Sequence, residues 1–411
     1  VPVSGSAKLI RAINASAALT HLLEAGELTR SELRQRTGLS KPTASEMLRL
    51  LTAAGLAVVS GRTTGTVGPT AEIYATNGDA AYTVAVSVRD TLGSDRPSLG
   101  AALSDLSGTI RARSEARIDF TARTPPAAVA RAVTEVCARA GVDPSRVSHV
   151  HLGVPGAYDP RTDTLHQVAV AGWDRSGVVA AIEATLAHTL AGTVTVALDN
   201  DVKLAAIAER HRGAAADAES FCLLWLGAGV GLATDLGGVL LRGSRGGAGE
   251  IGYLPLCADQ PHADQPHADQ RELQDLIGGP AVVDLAAEFG IAAASPAEAM
   301  AAAVAGNVAA VVERLAARIA FALATVVAVL DPPLIVLAGE VAQAGGTTLR
   351  DAVAAAMHPS TEARFPSLAE GDVQVAVTAV DDDAVLLGGL DAGLRALHGS
   401  LISSLAQPST D

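Results

Sequence analysis

"TVALDNDVKLAA", residues 195–206, carries a β-branched apolar run into Asp199, Asn200 and Asp201 and then changes to a helical pattern. The run reads as a strand and the residues after it as a helix. Carboxylates and an amide at the carboxyl end of a strand, just ahead of a helix, mark the edge at which open α/β sheets bind ligands. A carboxylate there is also where a general base would stand to take a proton from a hydroxyl. Asp201 has a plainer reading too, as a cap on the helix it precedes.

The same pattern extends along the chain from Tyr82. "YTVAVSVRD" (82–90) and "LGAALSDLSGTIRARSEARI" (99–118) read as a β-meander, "TPPAAVARAVTEVCARAG" (124–141) as a helix, and "RVSHVHLGVPGAYDP" (146–160) as a strand leaving through a Pro-Gly turn. A second round opens with "SFCLLWLGAGVGLATDLGGVLLRG" (220–243). "PLIVLAGE" (333–340) and "VQVAVTAV" (373–380) supply later strands between long Ala-rich helices. Alternating strands and helices predict an α/β protein of two lobes. The first lobe is expected over 77–198, joined by a C-terminal helix at 384–398, and the second over 199–383, with the ligand cleft and the oligomerisation surface.

With 411 residues and 49% hydrophobic content, the chain has apolar side chains enough for two or three cores, which excludes a disordered chain. Only 3% are aromatic, so Ala, Val and Leu must fill those cores, as in helices closely packed on sheets. Cys137, Cys222 and Cys257 are scattered and fit neither a disulfide framework nor a CxxC metal knuckle, so they read as reduced thiols. The most apolar helical run, "IAFALATVVAVL" (319–330), is too short to span a bilayer, and no basic-then-apolar leader opens the sequence. A cytoplasmic protein with no membrane partner is expected.

A net charge of -14 speaks against a chain coated in nucleic acid, but its sign is unevenly distributed. Through Thr76, eight basic side chains outnumber five acidic ones, a balance of +3 that leaves -17 for the remainder. This basic segment, 1–76, reads as a winged helix-turn-helix. Leu9, Ile10, Ile13, Ala17, Leu22 and Leu23 follow a helical period that Gly26 stops. Thr29 with Glu32 forms a capping box for a second helix, Gly38 makes the turn, and Ser40 caps a third helix with Pro42 in its first turn. An alternating hairpin with a Gly/Thr-rich tip follows as the wing. In this motif the start of the third helix meets base edges, which assigns DNA contacts to Ser40, Lys41, Thr43, Ala44 and Ser45, with Arg49 and the wing's Arg62 reaching phosphates. Glu46 is out of keeping with that surface, and a winged helix used only for protein contacts is the rival reading.

The motifs "GVPGAYDP" (153–160), "AGWD" (171–174), "DNDVKLAAIAE" (199–209), "LGAGVGLATDLGGVLLRGSRGGAGEIGYLPL" (226–256) and "VLAGE" (336–340) follow the winged helix in that order. In this the chain resembles the ROK family of sugar kinases and repressors of sugar genes, over nearly its whole length. One glycine loop would be a weak signal; five ordered motifs with the appended winged helix are a specific one. The resemblance implies a two-lobed actin-like ATPase and sugar-kinase fold, ribonuclease H-like in topology. It also points to the repressor branch, which carries the N-terminal domain.

What the resemblance implies for the pocket follows residue by residue. The family's Asn-Asp pair binds sugar hydroxyls, and its Asp is the kinase base; Asn200 and Asp201 match, with Asp199 for a Glu and Lys203 for a second Asn. Glu250 matches the Glu of a Gly-Glu-Ile-Gly-His motif whose His is Tyr253 here, and Gln274 stands where a further sugar-contacting Glu belongs. Carboxylates and amides suit polyols because each can engage two vicinal hydroxyls. The family's Cys-x-Cys-x4-Cys zinc cluster is missing from "LCADQPHADQPHADQRELQDLIGG" (256–279). There Cys257, His262 and His267, at five-residue spacing, read as a solvated insertion, and no metal is expected.

A phosphoryl-transfer enzyme of this fold needs an Asp-x-Gly-Gly-Thr-like first hairpin to organise magnesium and phosphate. "AVSVRDTLGSDRPSLGAAL" (85–103) puts Ser87 in the Asp's place and has no Gly-Gly-Thr. The loop of Gly227, Gly229 and Gly231 persists, which a tight hairpin turn would also explain. The expectation is a repressor of carbohydrate genes without kinase activity or cofactor. It would bind palindromic operator DNA as a homodimer or homotetramer and sense a sugar or sugar derivative through Asn200, Asp201, Glu250, Tyr253 and Gln274. A sugar kinase with an added DNA-binding domain, and a regulator answering to a protein partner, are the alternatives.

Overall fold

The structure is a computed structural model and describes residues 4–63, 70–89, 98–119, 124–166, 170, 172–256, 271–364, 373–380 and 383–406. The first unit comprises α1 (Ser4–Ala25), β1 (Glu27–Thr29), α2 (Arg30–Thr37), α3 (Lys41–Ala53), β2 (Ala57–Arg62) and β3 (Glu72–Thr76), its strands antiparallel in the order β1-β3-β2. Local hydrogen bonds set its helix starts. The Thr29 hydroxyl accepts from the Glu32 N–H at 3.3 Å and the Glu32 carboxylate from the Thr29 N–H at 2.7 Å, while Ser40 caps α3. Leu19, Leu22, Leu33, Met47, Leu48 and Leu51 fill the core of this winged helix. Ile10 and Ile13, part of the apolar period read in the sequence, are instead more than half exposed, because α1 turns Ala15, Ala18, Leu19 and Leu22 inward.

The first lobe contains β4 (Tyr82–Arg89), β5 (Ser98–Asp105), β6 (Ile110–Arg117), α4 (Pro125–Ala140), β7 (Val147–Val154), the small hairpin β8 (Ala157–Asp159) and β9 (Thr164–His166), α5 (Val178–Leu190), β10 (Thr195–Asn200) and α6 (Asp201–Arg212). Its sheet runs β10-β7-β4-β5-β6, an antiparallel meander extended by two parallel strands. The second lobe contains β11 (Phe221–Leu226), β12 (Val230–Leu236), β13 (Val239–Leu240), α7 (Gln274–Ile277), α8 (Gly279–Glu288), α9 (Pro296–Ala305), α10 (Ala309–Leu330), β14 (Leu334–Ala338), α11 (Glu340–Arg364, broken at Gly346) and β15 (Gln374–Val377); α12 (Ala384–Ala406) is the last described element. Its sheet order, β13-β12-β11-β14-β15, repeats the first with the same strand directions. The two lobes thus share one topology, as the actin-like sugar-kinase fold requires.

Seven of the eight β4 residues are buried, the mark of a strand covered by helices on both faces. On one face lie α4 and α5. On the other, α6 and the start of α12 fill the space between the sheets: Val202, Ala205, Ala206, Ala384 and Leu387 pack with Phe221, Leu223 and Val336, and Leu386 and Leu390 with Ala85 and Ala102. The first turn of α6 therefore stands at the junction of the lobes. The C-terminal helix runs past residue 398, and its Leu397, Leu401, Ile402 and Leu405 pack into the winged-helix core.

Among the described residues no helix is long and apolar enough to cross a membrane. Cys257, His262 and His267 lie outside the described residues, as does the stretch 90–97 after Ser87 and Arg89.

Candidate functional site

Where β10 ends, the Asn200 side chain caps α6, accepting the Lys203 N–H at 3.2 Å. The cap is therefore Asn200 and not Asp201. Both Asn200 Nδ2 hydrogens are also engaged, on Gly156 O at 3.1 Å and Asp201 Oδ1 at 3.0 Å. Asn200 shapes the turn and holds the neighbouring carboxylate. Asp201 Oδ1 further accepts the Val202 N–H at 2.9 Å, yet burial dominates and pushes its carboxyl above the usual range. Burial raises Glu250 as well; Asp201 adds to that rise and Lys203 opposes it. Two carboxyls and one ammonium thus share a partly dehydrated place.

Lys203 itself is buried, donates from Nζ to Gly246 O, and is lowered by that burial against the pull of Glu250 and Asp199. Gly246 belongs to the loop that follows β13 and crosses onto the first lobe. There its backbone, at φ 77°, lies so near Tyr158 that a Cβ would sit 1.8 Å from the Tyr158 carbonyl oxygen, which only glycine permits. From the same loop Arg242 grips buried Asp199 with Nε and a terminal nitrogen at 2.7 and 2.9 Å. Burial alone would raise Asp199, but Arg242 and then His151 hold it down at about 2. Behind Asp199, His151 Nε2 lies 3.3 Å from the carboxylate, His149 Nε2 lies 3.4 Å from His151 Nδ1, and Thr195 Oγ1 lies 2.8 Å from His149 Nδ1.

Tyr253 ends the short 3-10 turn that follows Glu250, and burial, Glu250 and Glu272 raise its phenol. Gln274 starts α7 beside Gly252 and donates to the Glu272 carboxylate at 2.7 Å. Asn200, Asp201 and Glu250 are thus brought together, with Tyr253 and Gln274 along the adjoining segment. Sequence reasoning passed over Lys203, Arg242 and Glu272 as site residues. An arginine closing an apolar strand, in "VLLRGSRGG", and two histidines at period two, in "VSHVHLGV", were the available signals, because each implies a buried polar partner. Mixed donors and acceptors around a dehydrated floor suit a polyhydroxylated ligand.

The elements that would handle a nucleotide are altered. Ser87 is 3% exposed within β4, and Arg89, two residues on, is paired with Asp383 at 2.9 Å and Glu115 at 3.3 Å; Arg113 also bonds Asp383. In the glycine hairpin between β11 and β12, the Ala228 N–H donates to the Glu340 carboxylate at 2.7 Å. A Cβ on Gly227 would lie 2.3 Å from that carboxylate. Backbone N–H groups of a glycine turn can hold an anion, and here that of Ala228 is taken by the protein's own carboxylate.

On the winged helix, Ser40, Lys41, Arg49 and Arg62 are exposed, and Thr43 and Ser45 half-buried. Ser40 Oγ lies 2.8 Å from Thr43 Oγ1, and Ser45 donates to Lys41 O at 2.9 Å. Ala44 corrects the expected surface: it is wholly buried, on the face of α3 that also buries Met47, Leu48 and Leu51, so it cannot meet a base edge. Glu46, the carboxylate out of keeping there, is paired with Arg11 of α1 at 3.2 Å.

Comparison with known proteins accords with this geometry. The profile of the ROK family matches residues 94–391 and that of the MarR family residues 12–64. A glucokinase of Halalkalibacterium halodurans is 26% identical over 256 residues, 58% of this chain and 74% of the relative. Among solved structures, a ROK family transcriptional regulator, homologue of the E. coli MLC protein, superposes with a TM-score of 0.72 at 20% identity, covering 97% of this chain and 99% of that one. A ROK hexokinase from Thermus thermophilus gives a TM-score of 0.59 at 23% identity, covering 77% and 99%. At such identities these structures speak to the fold. The profile match spans well over half of the residues, and the chain belongs to the ROK family, with a MarR-type winged helix ahead of its ROK domain.

Proposed function

We propose that this protein is a sequence-specific DNA-binding transcriptional regulator, a repressor of carbohydrate-related genes, whose ROK domain senses a sugar or sugar derivative and transfers no phosphate. The observation that carries the reading is the exposed start of α3, with Ser40, Lys41 and Arg49 on a winged helix that shares its core with the C-terminal helix of the ROK domain. Asp201, Glu250, Tyr253 and Gln274 serve as hydroxyl-reading groups, with Asn200 orienting Asp201. Two copies would place their third helices in successive major grooves of a palindromic site. Phe321 and Val329, 52% and 75% exposed on α10, supply apolar surface for such pairing.

The rival reading is a sugar kinase. It is favoured by the match of Asn200, Asp201 and Glu250 and by the glucokinase relative. Against it stand Glu340 at the glycine hairpin and Ser87 near the end of β4. The deciding experiment pairs duplex DNA selected from a random pool with a thermal-shift panel of neutral and phosphorylated hexoses. Operator binding weakened by a stabilising sugar, without ATP consumption, is the expected result. Turnover of ATP that disappears in Asp201→Asn would overturn the regulator-only reading.

A further inference from the structure

One face of the first sheet collects polar groups that the pocket alone does not require. Thr195, His149, His151 and Asp199 are linked in series at 2.8, 3.4 and 3.3 Å, and Arg242 closes the far end on both Asp199 oxygens. The two histidines are 4% and 5% exposed. Buried polar groups persist where each has a partner, so displacing one end of this series leaves the next group to find another.

The C-terminal helix α12 lies directly on the series. A Cβ on its Gly393 would be 2.4 Å from Thr83 Oγ1 and 3.2 Å from His149 Cδ2. A Cβ on its Gly388 would be 1.8 Å from the Leu204 carbonyl oxygen in α6, the helix whose first turn builds the pocket. Only glycine fits at these two positions, so α12 lies close against Thr83, His149 and Leu204, where a shift of the histidines or of α6 bears directly on it. Further along, Leu397 enters the winged-helix core and the His398 ring nitrogen Nε2 meets Leu106 O at 3.2 Å.

We infer that the His149–His151–Asp199 series and the glycine-seated helix α12 couple the pocket to the DNA-binding head. Arg242 on Asp199 fixes His151, His151 and His149 fix the seat of α12, and α12 sets the winged helix. A ligand that draws Arg242 from Asp199 is the natural trigger; that part rests on the sugar-sensor reading, while the coupling itself does not. His151 acts here as a positioning residue, touching no ligand.

The test needs neither ligand nor operator. Amide hydrogen exchange is measured on the full chain for wild type, Arg242→Gln, His151→Leu and the double variant. Arg242→Gln is expected to speed exchange at 395–405 and in α1 by about threefold or more, and the double variant to show no such increment over His151→Leu. An equal increment in both backgrounds, or none in either, overturns the coupling. Should His151→Leu fail to fold, His151→Gln takes its place, with a reduced increment expected and an undiminished one counting against the proposal. Glucose and glucose 6-phosphate form a separate arm: transmission from Arg242→Gln with no response to either probe would sustain the coupling and tell against the sugar reading.

Discussion

Arg242 holds Asp199 through two hydrogen bonds of 2.7 and 2.9 Å, tying a loop of the second sheet to the last strand of the first. Removing one partner of a buried pair costs 3–5 kcal/mol as a rule, and the half-exposed Arg242 side chain reduces the expected cost of Arg242→Met to about 2 kcal/mol. The pH dependence has a definite sign. Asp199 is held at about 2, below its unfolded value of about 3.9, so the contribution is complete above that value and lost as pH falls toward 2. The gap in Tm between wild type and Arg242→Met should therefore be level from pH 8 to 5 and close below pH 4. A gap that widens on acidification would contradict the pairing.

His149 works in the same direction over a higher pH window. Burial, and then His151, lower it to about 4, whereas the unfolded chain takes up this proton near pH 6.5. Between those values the unfolded state binds a proton that the folded state refuses, so stability falls as pH drops from 6.5 to 4, by up to about 3 kcal/mol. His149→Gln, which has no such proton to exchange, should show a flatter Tm profile over pH 7.5 to 4.5. Parallel profiles would mean that His149 is protonated in the folded protein.

The capping box of Thr29 and Glu32, the Ser40 cap and the Gly38 turn were legible because their hydrogen bonds span three or four residues and are written locally. The repeated sheet was legible from strand order, and the nearness of Asn200, Asp201 and Glu250 to one another from the order of their motifs. Ala44 could have been read correctly, since its spacing to Met47, Leu48 and Leu51 already places it on the buried stripe. Partnerships across long separations were not legible: Arg242 with Asp199 is 43 residues apart and Ala228 with Glu340 is 112. Periodicity says which face a side chain takes and nothing about what arrives there.

Glu340 at the glycine hairpin makes a prediction about nucleotides. The wild-type protein should show no thermal shift with AMPPNP and magnesium and no glucose-dependent ATP turnover. Glu340→Gly removes the internal carboxylate, so it should gain a nucleotide-dependent shift while remaining inactive, because Ser87 still stands where the metal-organising carboxylate belongs. It should also lose about 1 kcal/mol of stability with the Ala228 hydrogen bond. Nucleotide binding by the wild type at affinities equal to the variant's would show that Glu340 blocks nothing.

Ala44 and Arg49 lie five residues apart on α3 and should respond in different observables. Arg49 is exposed, so Arg49→Ala should weaken DNA binding alike for all sequences, flatten the salt dependence by about one unit, and leave Tm unchanged. Ala44 sits wholly within the winged-helix core, so Ala44→Leu overpacks that core and should cost about 1–3 kcal/mol, lowering Tm before it alters any intrinsic preference for a DNA site. Salt-series anisotropy on a selected duplex, with melting curves of the same samples, separates the two. An Ala44→Leu protein of undiminished Tm that changes which bases it prefers would return Ala44 to the DNA surface and require α3 to be rotated about its axis.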